Sequence, residues 1–166
     1  MNGDLKNPAF TLIELLIVIT MVGFFTVLSV PRFNELRAAL KAKGAAKKLM
    51  ADLRYAQSIA MGSDTNVTVC FDDASRSYAA RYDNGACSGA YLKDPFSGGD
   101  LTMDFDTDPQ FKGVVFNSSF NGGHQVTFDR LGRPANLASS GAVNMVFGDN
   151  SYWVNVTVGT GLVTGN

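Results

Sequence analysis

Histidine, cysteine and charge are all scarce in this 166-residue sequence, which holds one histidine, two cysteines and 17% charged residues. A single imidazole and two thiols do not make the four-ligand set of a structural zinc site. Neither a Gly-x-Ser-x-Gly elbow nor a Gly-x-x-x-x-Gly-Lys loop occurs, so the usual sequence grounds for nucleophilic hydrolysis and for nucleotide binding are missing. His124 stands beside Gly122-Gly123, where a hairpin turn accounts for it. The chain is therefore read as a non-enzyme that needs no cofactor. A net charge of −1 and 46% hydrophobic content exclude, as averages, a disordered chain and a strongly basic nucleic-acid binder. The length fits one domain with a long appendage.

What is present is unevenly distributed. Phe10 to Val30 reads FTLIELLIVITMVGFFTVLSV, 21 residues with Glu14 as the one ionisable side chain. At about 1.5 Å per residue a helix of this length covers roughly the 30 Å hydrocarbon layer of a bilayer. A secretory signal peptide has a shorter apolar region and a small-x-small cleavage site, which Ser29-Val30-Pro31 does not supply. Glu14 lies early in the run, where an unpartnered carboxylate costs a few kcal/mol. It either snorkels to the membrane interface or pairs with a cation on a neighbouring helix.

From Arg32 to about Met61 there is no proline and one glycine among many Ala, Leu, Lys and Arg residues, which predicts one long helix. Leu36, Leu40, Leu49, Leu53, Ala56 and Ala60 are expected to form an apolar stripe packed on a sheet. Residues 32 to 54 carry seven basic side chains against Glu35 and Asp52, a net +5. Such a run usually solvates a helix face, here close to anionic lipid head groups. Only Phe33 and Tyr55 flank it, so the aromatic interleaving of a single-stranded nucleic-acid site is absent.

After Gly62 the composition turns to short apolar runs between turn formers, which is strand chemistry. Strands are expected at 66–71, 77–82, 101–105, 113–116, 125–128, 143–147, 152–158 and 162–164. Turn signals stand at Asn84-Gly85, Asn121-Gly122-Gly123, Leu131-Gly132 and Asp149-Asn150. The fold class is α+β, a long N-terminal hydrophobic helix packed on a mostly antiparallel β-sheet head. Residues 63 to 166 hold eleven Asp against six basic side chains, a net −5 that opposes attraction to nucleic acid. Asp104, Asp106 and Asp108, with Asp100 nearby, begin like a calcium loop. The match then fails, because Pro109 stands where the loop needs Gly and Val115 where it needs a bidentate Glu. A solvated acidic loop is the plainer reading, and no metal is assigned.

Ala9-Phe10-Thr11-Leu12-Ile13-Glu14-Leu15-Leu16 resembles the processing site of type IV prepilins and type II secretion pseudopilins. The resemblance implies removal of a leader, residues 1–9, by a prepilin peptidase that cuts between Ala9 and Phe10, followed by N-methylation of Phe10. It gives Glu14 a role in subunit assembly, neutralising the N-terminal amine of an adjacent subunit, and makes Pro31 a helix kink. Ala9 departs from the usual Gly of that site. The basic residues after the apolar run argue by the positive-inside rule for a cytoplasmic C-terminal side, whereas the family implies the reverse.

The remainder is similar to H-type pseudopilins and FimT-type minor pilins, through Asp52-Leu53-Arg54-Tyr55-Ala56-Gln57-Ser58-Ile59-Ala60 and Val126-Thr127-Phe128-Asp129-Arg130-Leu131-Gly132-Arg133-Pro134. This implies a single-pass protein of the bacterial inner membrane in four parts: leader 1–9, filament-core helix 10–31, amphipathic stalk helix 32–62 and periplasmic head 63–166. It also implies membrane lipid, other pilin or pseudopilin subunits and an inner-membrane assembly platform as partners, in a secretion system or a pilus. FimT-type DNA binders use a basic C-terminal stretch. Here Gly159 to Thr164 carries no base, which argues against DNA uptake. In a periplasmic head, Cys70 and Cys87 are expected to form a disulfide, with two buried thiols as the alternative.

Overall fold

The computed structural model describes residues 10–83, 85–121 and 123–166, the side chains of 28–34 excepted. Residues 1–9, and with them the Ala9 side of the expected cleavage, lie outside the described residues, as do the Pro31 side chain and the turn residues Asn84 and Gly122. The chain divides into two compact units, Met1–Arg37 and Ala38–Asn166.

Helix α1 runs from Leu12 to Ser63, 52 residues. Thr11 and Glu14 have capping-box spacing, and the Glu14 backbone N–H donates to Thr11 Oγ1 at 3.3 Å, satisfying one of the free donors of the first turn. The helix ends where the Ser63 hydroxyl donates back to the Ile59 carbonyl at 2.6 Å and Asp64 takes the left-handed φ of 52° that closes many helices.

In the second unit α1 buries Ala42, Ala45, Ala46, Leu49, Leu53, Ala56 and Ala60. The many alanines bring the helix backbone close to the strands. Gly44 has the same effect, since a Cβ there would stand 3.2 Å from the Phe111 ring. Leu36 and Leu40 do not belong to this stripe, being 56% and 60% exposed. The reason is angular: each residue turns the helix by about 100°, so the nine residues from Leu40 to Leu49 carry the chain to the opposite side.

As expected the strands are antiparallel, and among the described residues they form two four-stranded sheets. Sheet 1 has the order β3-β2-β1-β5, from β1 (Val67–Asp72), β2 (Ser77–Tyr82), β3 (Thr102–Asp104) and β5 (Gln125–Phe128). Sheet 2 has the order β4-β6-β7-β8, from β4 (Val115–Ser119), β6 (Gly141–Phe147), β7 (Asn150–Val156) and β8 (Val163–Gly165). Most strands fall where their alternation placed them. β4 lies further along the chain than its apolar run suggested, because Asn117, Ser118 and Ser119 continue the ladder with β6. β2 and β3 pair with one another but are not joined by a tight hairpin turn. The chain instead makes a long excursion before β3, tied to β2 by the isolated bridge Arg81–Tyr91.

One core serves both sheets and the helix, with Val67, Val69, Val126 and Phe128 from sheet 1 and Val143, Met145, Val154 and Val156 from sheet 2 facing Leu49 and Leu53. Phe71 of β1 packs on Phe116 of β4 at 6.0 Å and on Phe120 at 5.2 Å, joining the sheets through rings.

Candidate functional site

The N-terminal unit presents Phe10 and an unbroken set of exposed apolar side chains. Phe10 is 78% exposed and Leu12 82%, and every other large hydrophobic residue from Ile13 to Val27 is exposed too. Thr20 and Thr26 turn their hydroxyls inward, donating at 2.8 Å to the Ile17 and Val22 carbonyls, so the helix surface there is almost free of polar groups. Glu14 is the one charge among these residues and is exposed. Among the described residues no helix is long and apolar enough to cross a membrane. The described apolar helical side chains are those of 12–27, while the apolar run of the sequence continues to Val30.

In the second unit, α1 is tied to the sheets by polar contacts that its sequence pattern did not reveal. Asp52 is buried. Its Oδ2 accepts the Tyr78 hydroxyl at 2.6 Å, and Lys48 Nζ reaches both carboxylate oxygens at 2.7 and 2.8 Å. Burial first, then the Asp52 charge beside it, pushes the Tyr78 phenol well above the ordinary tyrosine range. Arg54 donates to the Val163 carbonyl at 2.8 Å and so holds β8. Gln57 donates to the Gly132 carbonyl at 2.7 Å. Gly132 has φ +75° and Gly161 φ +69°, and a Cβ at Gly161 would strike the Gly132 carbonyl oxygen and Gln57. The helix end and the turn after β5 therefore meet at two glycines with no room for side chains.

The turn itself is built around Asp129, whose Oδ1 accepts the N–H groups of Leu131 at 2.9 Å and Arg133 at 2.8 Å. Partial burial works against its ionised form. These N–H groups and the Arg133 guanidinium outweigh that and hold the carboxyl below the usual range.

Cys70 and Cys87 are joined, with Cα atoms 6.0 Å apart. The bond pins the excursion after β2 across the outer side of sheet 1, where the Asp83 carboxylate also accepts N–H groups from Ala86, Ser88 and Gly89 at 2.6–2.9 Å. Beside the disulfide lies an open depression of about 930 Å³. Its lining mixes Arg81 with Asp72, Asp73 and Asp104, and Arg81 is stacked over the Tyr91 ring at 3.7 Å.

The calcium candidates do not converge. Asp104 Oδ1 accepts the Asp106 N–H at 2.8 Å, Asp106 pairs with Arg76 at 3.2 Å, and Asp108 Oδ1 caps Gln110 and Phe111. Among the described residues no three His, Cys, Asp or Glu side chains are placed to hold a metal ion.

One Asp-Ser-His grouping does occur, unforeseen in the sequence. Ser118 Oγ donates to Asp73 Oδ1 at 2.7 Å and lies 2.7 Å from His124 Nδ1, itself 3.2 Å from Asp73 Oδ2. A nucleophilic triad puts the imidazole between carboxylate and hydroxyl. Here the hydroxyl donates straight to the carboxylate, and Ser118 is 4% exposed. The arrangement fits a tie between the β1–β2 turn of sheet 1 and β4 of sheet 2, reinforced by the Ser118 N–H on Asp73 at 2.9 Å.

Residues 45–161 match the family described as type II transport protein GspH. The chain belongs to the GspH family. The match begins on the buried face of α1 and ends in the turn before β8, so it takes in most of the helix–sheet core just described. Among solved structures, the chain is similar to the minor pseudopilin EpsH from the type 2 secretion system of Vibrio cholerae. That likeness has 13% identity and a TM-score of 0.57, and covers 76% of this chain and 96% of that one. It is also similar to the type IV minor pilin FimU of Pseudomonas aeruginosa, at 15% identity and a TM-score of 0.56, with 81% and 92% of the two chains covered. No curated protein sequence matches the chain. The pilin-like α+β fold follows from these likenesses, in a chain of the GspH family. In GspH-family terms, the two motifs read from the sequence touch: Gln57 of the first holds Gly132 of the second.

Proposed function

We propose that the chain is a filament subunit that is made as a precursor, cut between Ala9 and Phe10, methylated at Phe10 and held in the bacterial inner membrane by its N-terminal helix with the head in the periplasm. The observation that carries this reading is the N-terminal unit, whose large apolar side chains from Phe10 to Val27 are all exposed. Surface of that kind is stable only in lipid or against other apolar helices. The same helix serves both in turn, first as an anchor and then packed among other pilin or pseudopilin subunits in a type II secretion pseudopilus or a type IV pilus. Glu14, the one charge of that surface, pairs across subunits with the amine freed at Phe10 and sets their register. A prepilin peptidase and an inner-membrane assembly platform are the further partners. No catalytic step is assigned to the head, and the buried Ser118 supports a non-enzymatic role.

Mass spectrometry of the N-terminus from membranes of producing cells tests the reading. A methylated chain starting at Phe10 is expected. An intact Met1, or a start near Pro31, would refute it. Glu14→Ala is expected to insert in the membrane and to be lost from the filament fraction; unchanged incorporation removes the pairing role.

A further inference from the structure

The outward side of α1 in the second unit is basic, and its guanidinium, Arg54, has only the Val163 carbonyl as a partner among the described residues. Lys43, Lys47, Ala51 and Arg54 follow one another at helical spacings of four, four and three, opposite the buried face, and all four are exposed. Lys43 and Lys47 have no ion pair among the described residues. Lysines on an exposed helix are ordinarily balanced by acids three or four positions away, and like charges at that spacing repel. Between Ala38 and Ser63 the single acid is Asp52, and it is buried and turned toward Tyr78. The helix itself therefore offers this stripe no counter-charge.

The head carries a surface of matching sign and spacing. At one end of sheet 1, Asp72 stands opposite Ser77 and Ser77 opposite Asp104, so the two aspartates sit two strands apart, about 10 Å. Lys47 and Arg54 are separated by about 10 Å along the helix. Of the cations nearby, Arg76 pairs with Asp106 at 3.2 Å, Arg81 is stacked over the Tyr91 ring, and His124 lies against Asp73 and Ser118. Backbone N–H groups of Ser75 and Ala74 on Asp72, and of Asp106 on Asp104, hold both carboxyls below their usual range, so the surface keeps its charge into mild acid.

We propose that the Lys43–Lys47–Arg54 stripe is a docking face for the Asp72/Asp104 end of sheet 1 on a second copy of this chain. Ala51, small and exposed in the middle of the stripe, lets the two surfaces approach. The contact is a head-to-helix one, and its repetition sets one subunit beside the next. It rests on the filament reading above and adds to the helix packing a second, electrostatic determinant of how neighbours sit.

The test uses two differently tagged full-length copies in detergent-solubilised membranes, read by co-purification. K43E/K47E reverses the stripe at exposed positions. D72N/D104N/D106K removes the acidic charge while asparagine keeps the turn-capping oxygens. Each variant with itself is expected to co-purify roughly tenfold less than wild type, as the loss of several interface charge pairs gives. Mixing the two variants restores recovery, because each then meets the opposite sign, and added salt weakens all attractive pairings. Wild-type recovery from both variants overturns the proposal. So does loss by K43E/K47E of binding to phosphatidylglycerol vesicles with co-purification unchanged, which assigns the stripe to lipid. Wild-type chain missing from sheared filaments while the reversal-and-rescue pattern holds refutes the filament reading alone. Filaments that accept both variants at wild-type levels refute the docking face alone.

Discussion

Tyr78→Phe isolates one atom of the helix–sheet junction. The ring is buried and remains in place, tilted against Phe71 and Phe105 with centroids 6.0 Å away in each case, so no cavity opens. What is lost is a hydroxyl that donates at 2.6 Å to the Asp52 carboxylate. Hydrogen bonds to charged groups contribute about 1.5–3 kcal/mol. Asp52 keeps Lys48 on both oxygens, so its charge is not stranded and the lower half of that range applies, about 2 kcal/mol. For a head of this size that is a fall in Tm of roughly 6 °C. Asp52→Ala removes the acceptor and leaves the buried phenol unpaired, so it costs at least as much, whereas Asp52→Asn retains an acceptor oxygen and costs less. The pH dependence has a definite sign. A phenol whose folded pKa is raised contributes stability that is complete below the unfolded tyrosine value of about 10 and is lost as pH rises beyond it. Wild type should therefore lose stability above about pH 10 more steeply than Tyr78→Phe. The assay is thermal and urea unfolding of the full chain in detergent, followed by near-ultraviolet circular dichroism, at neutral pH and across the alkaline range. A Tyr78→Phe protein within about 0.5 kcal/mol of wild type, with the same alkaline slope, refutes the assignment.

Three further outcomes are expected. Replacing Cys70 and Cys87 together by serine, or reducing their bond, removes a crosslink spanning 17 residues and should lower stability by about 3 kcal/mol, read as a shift in urea midpoint. Gly161→Ala places a Cβ against the Gly132 carbonyl at a left-handed φ, and a cost of about 1–3 kcal/mol with a more protease-sensitive β8 is expected; a neutral result removes the close approach. Asp72, Asp94, Asp104 and Asp129 all have lowered carboxyl pKa values, mainly through backbone N–H donors, so their contribution is present above the unfolded value of about 4 and is lost as pH falls through the folded values. Asn at Asp129, which keeps the acceptor and drops the charge, should flatten that acid limb.

The sequence carried the helix and most strands because their signals are local: a long run of helix formers, and alternation such as Val154 and Val156 against Trp153 and Asn155. It also brought out the pair Cys70 and Cys87 and the two motifs that meet at Gln57 and Gly132. Three things were not legible, each decided by distant residues. Leu36 and Leu40 have the right spacing to one another but the wrong phase against Leu49. Asp52 reads as one more surface charge until Tyr78, 26 residues on, is placed beside it. Ser118 looks like loop chemistry, and only Asp73 from the other sheet makes a buried serine at the β4 edge sustainable.

The order in which the strands enter the sheets has a consequence of its own. The chain lays down β1, β2 and β3 in sheet 1, crosses to place β4 in sheet 2, returns for β5 and crosses again for β6 to β8. Neither sheet is a continuous stretch of sequence, so neither is completed until the chain has crossed between them. Separating the two sheets would have to pull apart these crossings and the aromatic cluster between them together. Force applied to either sheet is therefore passed to the other through the chain itself as well as through the shared core.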